Sequence, residues 1–246
     1  MKERGMIFNG EMVRAILDGR KTQTRRIVKG TDGAVKFCKE WDINGEEIFV
    51  VLGEKDHTGM NPVLGAISCP FGAVGDRIWV RETWGVVSHE LDEDGRIQPW
   101  TPDRPATVIH EMPFGNGYYS GHAIYAADGD FTWGDDDGYE DGRSCWKPSI
   151  HMPRAASRIL LEITDVRVER LNAISEEDAE AEGIDMEALY DSQDCYDCIA
   201  NHNMTGRPTV TGAFKYLWES IYGEEGWKSN PWVWVIEFKR IEGGAA

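Results

Sequence analysis

The alternation of apolar and polar residues predicts a chain built mainly of β-strands. From Ser157 to Glu169 the apolar residues occupy every second position, and their parity changes near Asp165. This pattern predicts a strand with a bulge or bend at that point. Residues 232–238 are apolar on both faces, which is typical of a central strand. Further strands are predicted at 22–28, 47–52 and 77–82.

Helical spacing is confined to a few segments between the strands. Asn9 is suited to cap a helix over 11–17, and Ser175 begins a capping-box sequence for a helix that ends at Glu182. A third helix is predicted from Thr211 to Gly223. Because the helices are short and scattered among strands, we predict an α+β fold, a small mixed β-barrel with helices at its ends.

Two segments depart from these patterns. Residues 86–147 are rich in Gly, Asp and Pro and have weak apolar periodicity, which predicts a large loop-rich insertion rather than a second core. Residues 185–210 are predicted to be irregular. We therefore expect a single domain over residues 1–246, interrupted by this insertion.

Charge is distributed unevenly along the 246 residues. The chain carries −17, but its first thirty residues carry +5 and the remainder −22. Such acidity argues against tracking of duplex DNA, and it leaves a small ligand or a single nucleotide as compatible partners. No run of 18 apolar residues and no apolar signal segment is found, so we expect a cytoplasmic protein without a membrane partner. The five Cys, an odd number, do not suggest a disulfide framework.

The basic segment 18–26 gathers an amine, hydroxyls and guanidiniums at the end of the first predicted helix. Lys21 can act as a base if burial and the like charges around it depress its pKa, and Thr24 is a nucleophile that needs such a base. In a regular strand the two side chains point to opposite faces, so a kink at the helix–strand junction is required to join them. The alternatives are a basic surface strand, or a phosphate grip in which Arg20 and Arg26 bind an anion without chemistry.

Glu182 is the candidate acid. It lies at the predicted C-terminus of a helix, where the helix dipole disfavours a negative charge and favours a bound proton. The alternative is a solvent-facing residue in the acidic run 176–182.

Two strand ends carry further candidates for substrate binding. Trp84 is suited to stack on a base and Arg81 to form a bidentate contact, or Trp84 caps the core. His151 and Arg154 occupy a polar turn before a strand and are candidates to line a pocket, although a single His is more often structural.

Cys195, Cys198 and His202 have the spacing of metal ligands, and Cys38 or Cys69 is a possible fourth ligand. Because only one C-x-x-C pair is present, the three residues are weak zinc candidates, and we expect neither a metal nor a cofactor.

The sequence Gly-Arg-Lys-Thr-Gln-Thr-Arg-Arg at 19–26 resembles the G-x-K-T-x-T-x-R signature of ASCH-domain proteins, a PUA-like superfamily. Residues 74–80 and 232–238 resemble later strands of the same family, and over its length the chain is similar to phage and prophage members. The resemblance implies a PUA-like β-barrel, and, for a phage-encoded chain, the cytoplasm of a bacterial host.

Small bacterial ASCH amidohydrolases remove the acetyl group of N(4)-acetylcytidine without a cofactor. The resemblance implies that Lys21 is the base, Thr24 the nucleophile and Glu182 the proton donor. Arg26 would steady an oxyanion or phosphate. The expected function is hydrolysis of an amide on a nucleoside or single modified nucleotide. The alternatives are a non-catalytic reader of modified bases or RNA, and an ASCH-type ribonuclease.

Overall fold

The computed structural model describes residues 1–133, 145–191 and 209–241, and in these ranges the fold is α+β, mostly strands with short helices. The strands are β1 (Glu3–Ile7), β2 (Gln23–Ile27), β3 (Lys36–Trp41), β4 (Glu47–Leu52), β5 (Val63–Ile67), β6 (Arg77–Arg81), β7 (Trp84–Val87), β8 (Glu90–Leu91), β9 (Ile97–Gln98), β10 (Thr107–Phe114), β11 (Gly117–Tyr125), β12 (Leu160–Arg170) and β13 (Trp232–Ile241). The helices are α1 (Gly10–Leu17), α2 (Glu176–Ala181), α3 (Met186–Asp191) and α4 (Val210–Lys228). None of these helices is long and apolar enough to cross a membrane.

The chain divides into two compact units. The first contains Met1–Lys2, Ala15–Arg77 and Glu162–Lys239, and the second contains Glu3–Arg14, Ile78–Leu161 and the described residues from Arg240. The predicted insertion 86–147 falls inside the range of the second unit. Whether it folds with the rest of the chain as one domain stays a prediction.

In the first unit, β13 lies between β12 and β2. It pairs antiparallel with β2, with Val235 opposite Arg25 and Ile236 opposite Thr24. The strands β3, β4 and β5 form a second antiparallel sheet. Apolar side chains from α2, α4 and β13 form a buried cluster that includes Ala179, Phe214 and Val235. This cluster anchors α2 beside the edge of β2.

Side-chain hydroxyls cap the N-termini of α2 and α4, and the cap of α2 is the one that its sequence predicts. The Ser175 hydroxyl accepts a hydrogen bond from the Asp178 amide, and the Thr209 hydroxyl accepts one from the Gly212 amide. Glu176 also accepts hydrogen bonds from the Val210 amide at 2.9 Å and the Thr211 hydroxyl at 2.6 Å. A carboxylate of one helix thus caps the next, which ties α2 to the start of α4.

Of two predictions about helices, the structure corrects one and bears out the other. The segment 185–210 is not irregular throughout, because Met186–Asp191 forms α3; residues 192–208 lie outside the described residues. The helix starting near Thr211 leaves helical geometry at Gly223, as predicted. Gly223 adopts a φ of 75°, which glycine tolerates, and a further helical turn continues to Lys228.

The second unit contains more regular structure than the loop-rich prediction allows. Strands β10 and β11 form a long hairpin, and β11 also pairs with β7. The register shifts between Ile109 and Met112, where Glu111 has a φ of 45°. This bulge changes which residues face the core, and the first half of β11 is mostly exposed. These two features removed the alternation by which strands are recognised in a sequence.

Candidate active site

The junction between α1 and β2 places Lys21 against the C-terminus of α2. Gly19, with a φ of 78°, ends the helical path, and the Lys21 amide donates to the Ala15 carbonyl at 2.9 Å. Lys21 forms an antiparallel bridge with Glu182, and the Thr22 amide donates to the Ala181 carbonyl at 2.9 Å. Backbone hydrogen bonds therefore fix the start of β2 to the end of α2.

Lys21 and Glu182 form a buried ion pair. The Lys21 Nζ lies 2.6 Å from Glu182 Oε2 and 2.7 Å from the Glu182 carbonyl oxygen, and the two side chains are 0% and 3% exposed. Burial lowers the pKa of Lys21 below its usual range, and the charges of Arg26 and Arg25 act in the same direction. The charge of Glu182 and its hydrogen bond oppose that fall in pKa without cancelling it. The pair is thus suited to exchange a proton.

Arg25 holds the other oxygen of the same carboxylate. Its Nη1 lies 3.2 Å from Glu182 Oε1, and its Nη2 lies 2.9 Å from Asp178 Oδ2 and 3.7 Å from Glu169 Oε2. The Arg25 side chain is buried, and its guanidinium lies 5.8 Å from the centroid of the Phe214 ring. The Glu182 carboxylate therefore lies between two cations, each of which contacts one of its oxygens.

These contacts follow from two sequence periods that match. Lys21, Gln23 and Arg25 alternate along the strand, and all three side chains contact α2. Their partners Asp178 and Glu182 are four residues apart, which places both on one face of a helix. A strand of period two and a helix of period 3.6 thus present complementary charges to each other.

Thr24 lies on the opposite face of this strand from Gln23 and Arg25. Its side chain is 1% exposed, and among the described residues its hydroxyl has no hydrogen-bonding partner. The structure therefore brings Lys21 and Glu182 together and leaves the Thr24 hydroxyl outside their hydrogen-bond network. The expected kink is not needed to explain the contacts of Lys21, since Lys21 keeps the alternation of the strand.

The remaining basic residues of segment 18–26 bind protein groups. Arg20 Nη1 donates to the Gly183 carbonyl at 3.0 Å, and its Nη2 lies 3.0 Å from Asp18 Oδ2. Arg26 is half-buried and donates to the Arg25 carbonyl at 3.3 Å. Carboxylates thus balance much of the positive charge that the sequence concentrates here.

A surface cleft of about 660 Å³ lies beside α2 in the first unit. It is lined by Asp18, Arg20, Glu177, Glu180, Ala181, Ile184, Asp185, Met186 and Glu187. Of the residues predicted for the site, Arg20 lines this cleft, and Lys21, Thr24 and Glu182 do not. Because five of the lining residues are acidic, the cleft disfavours a phosphate group.

Four predicted substrate-binding residues belong to the second unit. Trp84 is 0% exposed and packs edge-on against Phe114, so it is a core residue there. Arg81 donates to the Ile150 carbonyl, and its guanidinium lies 5.4 Å from the centroid of the Trp79 ring.

The other two of these residues lie near one another in the chain. His151 is exposed in a short 3₁₀ turn, and Arg154 Nε lies 3.0 Å from Glu3 Oε2. The contacts described for His151 and Arg154 therefore do not place the two side chains in one binding site.

The zinc candidates Cys195, Cys198 and His202 lie outside the described residues. Within the described ranges, no group of three or more His, Cys, Asp or Glu side chains could hold a metal ion.

Several residues that surround the Lys21–Glu182 pair were not predicted from the sequence. Asp178 accepts hydrogen bonds from Gln23, Arg25 and Arg167, and Arg167 also binds Glu169 and Glu237. The sequence did contain a signal for these contacts. Residues 21, 23 and 25 alternate as on one face of a strand, and residues 178 and 182 have the spacing of one face of a helix.

Comparisons with protein-family models, with curated proteins and with solved structures gave no match to this chain. The resemblance to ASCH-domain proteins therefore remains a hypothesis carried by residues 19–26 and the strands named with them.

Proposed function

We propose that this protein is an ASCH-type hydrolase with a PUA-like barrel that removes an acyl group from the amine of a nucleobase or nucleoside. The observation that carries the proposal is the buried contact of 2.6 Å between Lys21 Nζ and Glu182 Oε2. A buried lysine with a lowered pKa, in contact with a carboxyl group, can accept a proton on one side and pass one on. The unpartnered Thr24 hydroxyl, three residues along the chain, is the proposed nucleophile.

The proposed reaction has two stages. Thr24 Oγ1 forms a bond to the acyl carbon, and its proton passes to Lys21 when the bound substrate brings the two groups together. The bond from the acyl carbon to the exocyclic nitrogen then breaks, and Glu182 donates a proton to the departing amine. In the second stage water attacks the Thr24 ester, which releases the acid and restores the hydroxyl. The reaction starts from the form of the pair in which Lys21 is a neutral amine and Glu182 carries the proton. The first stage therefore leaves Lys21 protonated and Glu182 ionised, and return of the proton from Lys21 Nζ to Glu182 Oε2 across their 2.6 Å contact restores both groups.

The charges near the pair favour an uncharged nucleoside as substrate. Arg25 is engaged by Glu182 and Asp178, Arg20 is paired with Asp18, and acidic residues line the neighbouring cleft. A phosphodiester polymer needs cationic groups along its path, whereas a neutral acylated nucleoside does not. This supports amide hydrolysis over the ribonuclease alternative.

The test is incubation of the purified protein with N(4)-acetylcytidine, with separation of cytidine and acetate by chromatography. We expect the wild type and Thr22→Ala to release both products and Thr24→Ala to release neither above background. Thr22 is the matched control because it is exposed and lies two residues before Thr24, just ahead of β2. Equal release by Thr24→Ala would exclude Thr24 as nucleophile. Binding of the compound without release would favour the reader.

A further inference from the structure

A second cation, Arg25, holds the Glu182 carboxylate on the side away from Lys21. Lys21 Nζ contacts Oε2 and Arg25 Nη1 contacts Oε1, at 2.6 and 3.2 Å. Rotation of the carboxylate about its last bond would break both contacts. The orientation of Glu182 is therefore fixed from two sides, and only one of these two contacts belongs to the proposed proton transfer.

The Arg25 guanidinium is itself fixed by groups from each element packed against it. Asp178 and Glu182 face it from α2, Glu169 faces it from β12, and the Phe214 ring of α4 lies on another side. Lys21 shares its strand face, and Arg167 binds the other oxygen of Asp178 at 2.9 Å. A side chain with partners in α2 and β12 has little freedom to move, so it can position another group.

We propose that Arg25 is a positioning residue: it holds Glu182 by Oε1 so that Oε2 faces Lys21. The consequence for turnover rests on the proposed function. The consequence for the titration of Lys21 does not, because it depends only on the charges and contacts described above.

The direction in which the pKa of Lys21 changes follows from electrostatics. A positive charge close to the Lys21–Glu182 pair disfavours every added proton, so its removal raises the pKa of Lys21. Arg167 carries the same charge, but it reaches the pair only through Asp178 and therefore acts more weakly. Because the charge of Arg26 also lowers the pKa of Lys21, the positioning role is tested by Arg25→Lys, which keeps the charge of Arg25 and changes only how Glu182 is held.

The experiment is a titration of the protein labelled with ¹³C at lysine Cε, with the Lys21 signal assigned by its absence in Lys21→Met. In folded Arg25→Gln we expect the pKa of Lys21 to rise, and in Arg167→Gln we expect it to rise by less. Arg25→Lys keeps the charge and should leave the pKa of Lys21 close to that of the wild type. An unchanged pKa in folded Arg25→Gln, or an equal rise in Arg167→Gln, would overturn the proposal.

Should Arg25→Gln fail to fold, Asp178→Asn gives the second measurement. It frees Arg25 to turn fully to Glu182, so the pKa of Lys21 should fall, and the absence of a fall would count against the proposal. Turnover of N(4)-acetylcytidine separates the two hypotheses. If the wild type is inert but the pKa of Lys21 shifts as expected, the proposed function fails while the positioning role of Arg25 stands.

In an active enzyme, Arg25→Lys should lower kcat about tenfold or more with little change in KM, because the Arg25 side chain is buried and its contacts are with Asp178 and Glu182. In a plot of kcat against pH, the acidic limb should stay at the same pH in Arg25→Lys and move to higher pH in Arg25→Gln.

Discussion

Lys21 Nζ and Glu182 Oε2 lie 2.6 Å apart although the two residues are 161 positions apart in the sequence, and both side chains are buried. Two opposite charges removed from water stabilise each other only while both are present, because either one alone pays the full cost of desolvation. This contact therefore links the stability of the first unit to the chemistry proposed for it.

The losses in the free energy of unfolding caused by the two single substitutions in this pair should add up to more than the loss caused by the double substitution. Lys21→Met should lower the free energy of unfolding by about 3 kcal/mol, since it leaves Glu182 buried with Arg25 as its remaining cation. Glu182→Gln should lower the free energy of unfolding much less in Lys21→Met than in the wild type. Urea denaturation of the four proteins measures this coupling, with exposed Lys29→Met as the control. Strict additivity would show that the contact does not form in solution.

The proposed nucleophile and its base should act as one unit. Thr24→Ala and Lys21→Met should each reduce the turnover of N(4)-acetylcytidine on the order of a thousandfold, and their combination should cost little more. Initial rates for the single variants and the double variant provide the measurement, and Lys29→Met should match the wild type. Multiplied losses in the double variant would mean that the two side chains act independently.

Asp178 should make stability depend on pH in the acidic range. Burial acts to raise the pKa of Asp178, but Arg25, the Gln23 hydrogen bond and Arg167 outweigh it and hold the pKa below its usual value of 3.8. A carboxyl group with a lowered pKa stabilises the fold above about pH 4, and this contribution is lost as pH falls through the folded-state pKa.

Asp178→Asn should therefore lower the free energy of unfolding by about 2 kcal/mol at pH 7. The difference from the wild type should shrink below pH 4. Denaturation at several pH values checks this, with exposed Glu180→Gln on the same helix as control. A difference that stays constant down to pH 2 would contradict it.

Gly183 should be intolerant of any side chain. It follows Glu182 directly and has a φ of 90°, and an added Cβ would lie 2.8 Å from the Cβ atoms of both Ala15 and Lys21. Gly183→Ala should lower the free energy of unfolding by about 3 kcal/mol and displace Lys21.

Gly19→Ala is the matched control for this substitution. Gly19 has a similar φ of 78°, but an added Cβ there would meet no atom within 4 Å. Gly19→Ala should therefore lower the free energy of unfolding by only about 1 kcal/mol. Thermal melts of both variants test the difference, and equal costs would place the whole effect in backbone strain.

Local signals in the sequence predicted part of this arrangement. The end of α2 near Glu182 followed from a capping sequence at Ser175 and from Gly183, both read within a few residues. The α+β class followed from strand alternation. The partners of Arg25 could not be predicted, since they depend on which strand lies beside α2, and no short-range pattern determines that neighbour. The hairpin of β10 and β11 was missed because a bulge at Glu111 interrupts its alternation.

The matching of strand and helix periods also has a consequence for how β2 pairs with β13. If β2 slipped by one residue, the face toward α2 would carry Thr22, Thr24 and Arg26 in place of Lys21, Gln23 and Arg25. Asp178 and Glu182 would then meet one cation instead of two, and the displaced charges would be buried elsewhere. A shifted register would therefore leave buried charges without partners, so the contacts of Lys21 and Arg25 with α2 favour the observed pairing of β2 with β13.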